Sequence, residues 1–311
     1  MKKRGRAFSA RIRTFVKELV PRFIVRGVRN AQTTLRRTRL PDTRTVFSGA
    51  GTTPAYLGLS ELETLQKKYS FLPEYGYDFR SLETRGMLRA KEVLRLTMAS
   101  TATTFLELGC WDAMVSCCLQ REGKQATAID INDNGFSEQA EREGVRLLRM
   151  DAGHLQLPEG SFDCVFSYDA FEHFCDPEAV IQNALKVLKK QGHLFLSFGP
   201  LYWSPFGQHA YRTITVPYCQ HLFPRSVLNE YASAKGLEPI EFGHVNGWSI
   251  IQYRNLWKKY ASSLKSVRYS ETLNLAHLDL IRTYPACFRS KTNYFDDVIV
   301  ESITAVFEKV Q

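Results

Sequence analysis

The stretch TTFLELGCWDA, residues 103–113, decides the fold. Thr103 to Leu108 is an apolar run of strand length, Gly109 breaks it, and Ala113 to Gln120 follows as a helix closed by Gly123. The same alternation repeats outward from there. Gln125 to Ile131 reads as a second strand, Ser137 to Glu143 as a helix, Val145 to Met150 as a third strand and Phe162 to Tyr168 as a fourth. Asp176 then caps a helix with Pro177 at its first position, where a missing N–H costs nothing. This helix is expected to run to Lys190 and stop at Gly192, before a fifth strand from His193 to Phe198. Strands separated by helices of this length build a parallel sheet covered on both faces, with right-handed crossovers. The expected class is doubly wound α/β.

Beyond the fifth strand the rhythm breaks. Residues 200–223 interleave Tyr202, Trp203, Phe206, Tyr211, Tyr218 and Phe223 with prolines and with His209 and His221, the composition of an aromatic loop or cap. The pattern resumes with a helix at Pro224 to Lys235, a strand-like run at Leu237 to His244, a helix near Ser249 to Tyr260 and a closing strand near Ser302 to Lys309. On the N-terminal side, residues 41–59 read as a linker, with Pro41, Gly49, Gly51 and Pro54. A helix starts at Ser60, whose hydroxyl can cap while Glu63 reaches back, and another spans about Ser81 to Met98. The chain thus divides into an arm (1–45), a linker with N-terminal helices (46–100) and a main domain (101–311) carrying the cap at 200–223.

Net charge is +9 over 311 residues, unevenly spread. Residues 1–45 hold fourteen Lys and Arg against Glu18 and Asp42, whereas the remainder has 27 basic and 30 acidic residues. A body near neutrality argues against nucleic acid as a partner, because phosphate binding wants a basic face around the site. Within the arm, Phe8, Ile12, Phe15, Val16, Leu19, Val20 and Phe23 recur at three- and four-residue steps among arginines and lysines, an amphipathic basic helix kinked near Pro21. Three readings stand: a helix lying on an anionic membrane surface, an organelle transit peptide, and a solvated tail that folds onto the body. No stretch approaches the roughly 18 apolar residues needed to span a bilayer. The seven cysteines form no CxxC pair or regular framework, which suits a reducing compartment. The expected location is cytoplasmic, peripheral on the inner membrane face under the first reading of the arm.

In an open parallel sheet, ligands sit beyond the carboxyl ends of the strands where the strand order reverses. Gly109, after the first strand, lets backbone approach a ligand without a side chain in the way. Asp130, about twenty residues past that turn, suits both hydroxyls of a ribose. Asp151-Ala152, after the third strand, suits an exocyclic amine such as that of adenine. Beyond the fourth lie Tyr168, Asp169 and the run Phe171-Glu172-His173-Phe174. One Asp at a strand end is as often a helix cap; the joint placement after successive strands carries the reading. A nicotinamide dehydrogenase would need GxGxxG to seat a pyrophosphate on bare backbone, and this turn has one glycine.

ELGCWDA (107–113), AIDI (128–131) and RMDAGHLQLPEGSFDCVFSYDAFEHFCDPEAVIQNALKVLKKQGHLFLSF (149–198) together resemble the class I S-adenosylmethionine-dependent methyltransferases. The likeness is to the small-molecule, type-11-like branch whose members read FDxVxxxxxxEHxxDP, and it covers roughly residues 103–200. The resemblance implies a mostly parallel seven-stranded sheet of the Rossmann-like methyltransferase kind with an N-terminal helical extension, and S-adenosylmethionine as cofactor. It places Glu107 and Gly109 toward the methionine part, Asp130 with Ile131 at the ribose, Asp151 with Ala152 at the adenine, and the stretch from Tyr168 to His173 beside the transferred methyl. The chain departs from the family at Trp111 and Ala113, where glycine is usual. The Trp111 ring either lines the cofactor pocket, as an aromatic neighbour to a sulfonium, or blocks it.

A sulfonium donor is intrinsically reactive, so the protein mainly has to align the acceptor and exclude water. Metal-free direct displacement is the expectation, and none of the seven histidines has the tight pairing of a zinc helix, so no metal ligands are assigned. A base matters for a hydroxyl acceptor of high pKa. His173, His209 and His221 are the candidates, and each reads equally as a packed imidazole. The cap suits stacking on a sugar or an apolar chain. NGWSIIQYRNLW (246–257) and RTYPACFRSKTNYFDDVIVESI (282–303) look like the tail of methyltransferases from bacterial surface-glycan and secondary-metabolite settings. The acceptor is therefore expected to be a small molecule, a saccharide or a lipid-linked compound. The alternative is a degenerate, noncatalytic scaffold anchored by the arm.

Overall fold

A computed structural model describes residues 37–70, 76–97 and 101–310; the amphipathic run of the basic arm lies outside the described residues. Seven strands form one sheet: β1 (Thr104–Leu108), β2 (Gln125–Asp130), β3 (Arg146–Arg149), β4 (Phe162–Tyr168), β5 (Leu188–Phe198), β6 (Leu264–Leu273) and β7 (Val300–Lys309), in the order β3-β2-β1-β4-β5-β7-β6. The first five run parallel, and β7 lies antiparallel between β5 and β6. This is the doubly wound, mostly parallel sheet expected from the alternation of strands and helices. The order reverses between β1 and β4, which opens a crevice at their carboxyl ends.

Because side chains alternate across a strand, the apolar strands serve two cores at once. Leu106, Leu108, Val165, Leu194 and Leu196 face α6 (Pro177–Val187) and α9 (Ile250–Lys259). Phe105, Cys164, Phe166 and Phe195 face α3 (Phe79–Leu96) and α4 (Met114–Arg121). A third core lies off the sheet, where Phe47 of α1 (Leu40–Gly49) and Leu62 and Leu65 of α2 (Leu59–Lys68) meet Tyr218, Leu222 and Phe223 of the cap. The N-terminal helices therefore divide: α3 covers the sheet, and α1 and α2 support the cap. Cys175 is exposed and the other six cysteines are buried free thiols.

Several expectations are corrected. The supposed linker contains α1, because Pro41 sits in the first turn, where proline is tolerated, and Phe47 anchors the helix edge-on to Phe295 at 5.4 Å. The cap of α2 is Gly58, with Glu61 reaching back to its N–H, two residues ahead of the Ser60–Glu63 box. The sixth helix ends at Val187, and β5 begins at once, Leu188 pairing with Phe162; Gln191 at φ +60° and Gly192 mark an irregularity inside the strand. Leu237 to His244 forms no strand. The sheet position is taken by β6, whose residues beyond Leu264 are largely exposed and polar, so it carried no apolar alternation to read.

Candidate functional site

The turn after β1 is drawn tight by two amides. Gly109 N–H and Cys110 N–H both donate to the Ile129 carbonyl, at 2.9 and 3.0 Å, and Gly109, Trp111 and Ala113 all take positive φ. Gly109 is required first by packing: a Cβ there would lie 2.5 Å from the Ala170 Cβ in the turn after β4. The two turns thus touch. Asp130, at the tip of β2, accepts from the N–H groups of Trp111 (3.0 Å) and Asn132 (3.1 Å), which hold its carboxylate at the rim with acceptor capacity to spare.

Trp111 and Ile131 flank that carboxylate with 64% and 63% of their surface exposed. The Trp111 ring leans on the backbone of Gly135, where an added Cβ would approach it at 3.1 Å, so the indole rests on the loop between β2 and α5 (Glu138–Arg142). Asp151, exposed after β3, accepts from Gly153 N–H and pairs with His154, which together hold its carboxyl below the usual range. Ala152 beside it is buried in the core. A half-buried carboxylate between apolar flanks, followed by an exposed one at the next strand tip, is a donor set that fits an adenosine: Asp130 would hold the ribose, Ile131 and Trp111 the base or sulfur end, and Asp151 the amine.

Glu107 and Tyr168 are each tied to a neighbouring helix. Glu107 is buried, and one of its oxygens accepts from Ser116 N–H (3.1 Å) and Ser116 Oγ–H (2.6 Å), tying β1 to the first turn of α4. Burial pushes its pKa up to about 8 against the pull of those bonds. The Tyr168 hydroxyl donates to Glu92 at 3.0 Å on α3, and the Arg89 guanidinium lies 4.7 Å above its ring while pairing with Asp169.

The turn after β4 and the cap meet in a cluster that no single stretch of sequence announces. Glu172 is buried, one oxygen accepting from Gly199 N–H at 3.0 Å and the other without a hydrogen-bond partner among the described residues. Burial raises its pKa to about 8. His173 and His209 stand edge to face at 5.0 Å, and His244 joins both, at 5.8 and 5.5 Å. His173 Nδ1 lies on the His244 carbonyl (2.8 Å) and His209 Nε2 on the Pro200 carbonyl (3.1 Å), so each of these nitrogens carries the proton. Desolvation lowers both pKa values, that of His209 to about 4. At neutral pH each ring therefore keeps a lone pair on its other nitrogen.

The structure brings His173 and His209 together and leaves His221 apart. His221 is fully buried, stacked on Trp203 at 5.1 Å with Nε2 on the Trp203 carbonyl, and burial takes its pKa to about 3. Its neighbours are Tyr202 and Tyr218 of the cap and Phe288 of the helix Pro285–Arg289. Sequence reasoning missed His244 and Asn246. Asn246 donates from Nδ2 to the carbonyls of Phe171 and Phe174, gives its own N–H to the Glu172 carbonyl and accepts from Tyr253, clamping the whole turn. A cavity of about 260 Å³ adjoins the cluster, lined by Tyr202, Gln208, Arg225 and His244.

Residues 106–196 match a family model described as a methyltransferase domain. The chain is 26% identical over 190 residues to a ubiquinone biosynthesis O-methyltransferase of Nitrosomonas europaea, covering 58% of this chain and 78% of that one. It is 27% identical over 126 residues to the enzyme of the same name from Vibrio cholerae, where it spans about half the relative's length (51%) and 39% of its own. Among solved structures it is similar to a protein of Pyrococcus horikoshii, with 17% identity, a TM-score of 0.47 and coverage of 78% of this chain and 98% of that one. It is also similar to phosphoethanolamine N-methyltransferase 2 of Haemonchus contortus in complex with S-adenosyl-L-methionine, with 16% identity, a TM-score of 0.46 and coverage of 81% and 57%.

Proposed function

We propose that this chain, a class I methyltransferase that uses S-adenosylmethionine, methylates an oxygen of a small molecule seated between the turn after β4 and the cap. The observation that carries this reading is the close packing of Gly109 on Ala170, which sets the cofactor turn directly against the loop bearing Glu172 and His173. When bound, S-adenosylmethionine supplies a methyl on a cationic sulfur, and the C–S bond breaks with its electron pair passing to sulfur. The protein's part is to hold the acceptor in line and to take the proton that its hydroxyl gives up. His173 and His209 are neutral at physiological pH, which is the form able to receive that proton. His221, enclosed in the cap, is a packing residue in this scheme. Oxygen is favoured as the acceptor atom by the names of the curated relatives.

A cavity of about 260 Å³ suits an acceptor of one or two rings or a single sugar. A saccharide or lipid-linked acceptor is the narrower version, supported by the aromatic cap and by the basic arm, which would hold the cytoplasmic protein at an anionic membrane surface. Among the described residues no helix is long and apolar enough to cross a membrane. The enzyme reading, and not the scaffold alternative, is favoured by the Trp111 ring leaning on Gly135. Calorimetry with S-adenosylmethionine, followed by transfer of labelled methyl to hydroxylated small molecules and to membrane extracts, tests the proposal. Micromolar cofactor binding with label on an acceptor oxygen is expected; absence of cofactor binding would overturn it. If a protein starting at Val46 floats with anionic liposomes as well as the full chain does, the membrane assignment is wrong.

A further inference from the structure

We propose that Glu172, His173 and His209 form a binding site for a single first-row transition-metal dication of the zinc or iron class. One donor atom from each residue lies within 4.8 Å of the other two. Three donors on one ion at about 2.0 to 2.2 Å stand about 3.3 to 3.8 Å apart, so closure asks for up to about 1 to 1.5 Å of side-chain movement. The hydrogen bonding is already that of a ligand set. His173 and His209 each place one ring nitrogen on a backbone carbonyl, the arrangement that fixes the tautomer and leaves the other nitrogen's lone pair for a metal. The carboxylate has one oxygen held by Gly199 N–H and the other buried with no partner among the described residues. A buried polar atom without a partner is a cost that a cation removes.

Two imidazoles and one carboxylate favour zinc, iron, cobalt or manganese over magnesium or calcium, which take oxygen ligands. Three protein donors leave coordination positions open. This deepens the reading of the cluster as the acceptor's site and rests on it: an acceptor oxygen on the open position would be fixed beside the cofactor turn and would give its proton to water at lower pH than it does unbound. His173 and His209 would then act on the acceptor through the ion. The sequence hides the set because His209 is brought in from the cap.

The test uses full-length protein without a histidine tag, stripped by chelator, with Co²⁺ as the probe. One Co²⁺ per chain is expected, with visible absorption bands of a nitrogen- and oxygen-ligated ion. The His173→Ala, His209→Ala and Glu172→Gln variants should each lose at least about 100-fold in Co²⁺ affinity while their melting curves and S-adenosylmethionine affinity stay near those of the parent. His209→Gln, which keeps bulk and polarity, should lose the ion as His209→Ala does. No Co²⁺ binding below 100-fold molar excess over about 10 µM protein, or binding undiminished in these variants, overturns the metal site. Cofactor binding without Co²⁺ binding would leave the methyltransferase reading standing; Co²⁺ binding without cofactor binding would do the reverse.

Discussion

The proposed cofactor side and the proposed acceptor side of this crevice are built in different ways. The first is made of strand tips: Gly109, Asp130 and Asp151 follow three successive strands, and each is held by amides within a few residues or one strand away. The second is made of crossings, in which Glu172 and His173 from the turn after β4 meet His209 from the cap and are locked by Asn246 from a third segment. A site built from strand ends inherits its geometry from the sheet. A site built from crossings depends on how the cap packs, and it is the more easily lost one.

Asp130→Ala should give the largest effect and separate the two sides most sharply. If Asp130 holds the ribose hydroxyls as proposed, removing its carboxylate costs about 3 kcal/mol, or ~100-fold in cofactor affinity by calorimetry. The acceptor-side residues should leave that affinity nearly unchanged. If His209→Ala weakens the cofactor as much as Asp130→Ala does, the division into two independent halves is broken.

The same division explains what could be read from sequence. β1, β2, β4 and β5 were legible because each is largely apolar on both faces and set off by turns and capped helices, as with Asp176 and Pro177; the half-exposed edge strand β3 followed from its place in the alternation. Asp130 and Asp151 followed because position after a strand is a one-dimensional property. The acceptor side was not legible. His173 and His209 are 36 residues apart in the chain and His244 lies 35 further on, so their meeting depends on the three-dimensional path of residues 199–249. The outer strand β6 escaped for another reason, since an exposed edge strand needs no apolar face. Glu107 shows what position alone leaves out: one of its oxygens is tied to Ser116 in the first turn of α4, a bond that strand-end position does not announce.

Glu107→Gln sharpens that last point through pH. The folded protein holds a proton on Glu107 up to about pH 8, whereas the unfolded chain releases it near the ordinary 4.5. The native state therefore binds more protons between these values, and stability falls as pH rises through the window. Urea unfolding at pH 5 and pH 8.5 should show a loss of about 4 kcal/mol from this group. In Glu107→Gln, whose amide oxygen still accepts from Ser116, that part of the slope should vanish with cofactor affinity kept within a few fold. An unchanged slope would mean that Glu107 is ionised and available to a ligand after all.

Asn246→Ala attacks the crossing from a residue that touches no reacting group. It removes two donated bonds to the carbonyls of Phe171 and Phe174 and an acceptor for Tyr253. About 2 kcal/mol of stability should go, and methyl transfer should fall about tenfold or more because the turn that aims His173 is loosened. Cofactor affinity should stay within about threefold. Equal losses in cofactor affinity and turnover would show that the turn after β4 serves both halves as one unit.

The smallest expected effect is at the residue where the cofactor turn departs most from glycine. Trp111 sits at φ +48°, a left-handed conformation that costs a non-glycine residue about 1 kcal/mol, and the exposed ring recovers part of this by lying on Gly135. Trp111→Gly relieves the strain and strips the ring from Gly135, while the greater freedom of the unfolded chain works against the variant. The three effects nearly cancel, so the melting temperature should move by no more than a few degrees. The Trp111 N–H that binds Asp130 survives the change, so the ribose should still be held, and cofactor affinity should fall less than tenfold, by whatever the indole adds beside the nucleoside. A rise in affinity would instead make the ring an obstruction that the cofactor has to displace. The cofactor side would then depend, as the acceptor side does, on how a side chain packs and not on strand ends alone.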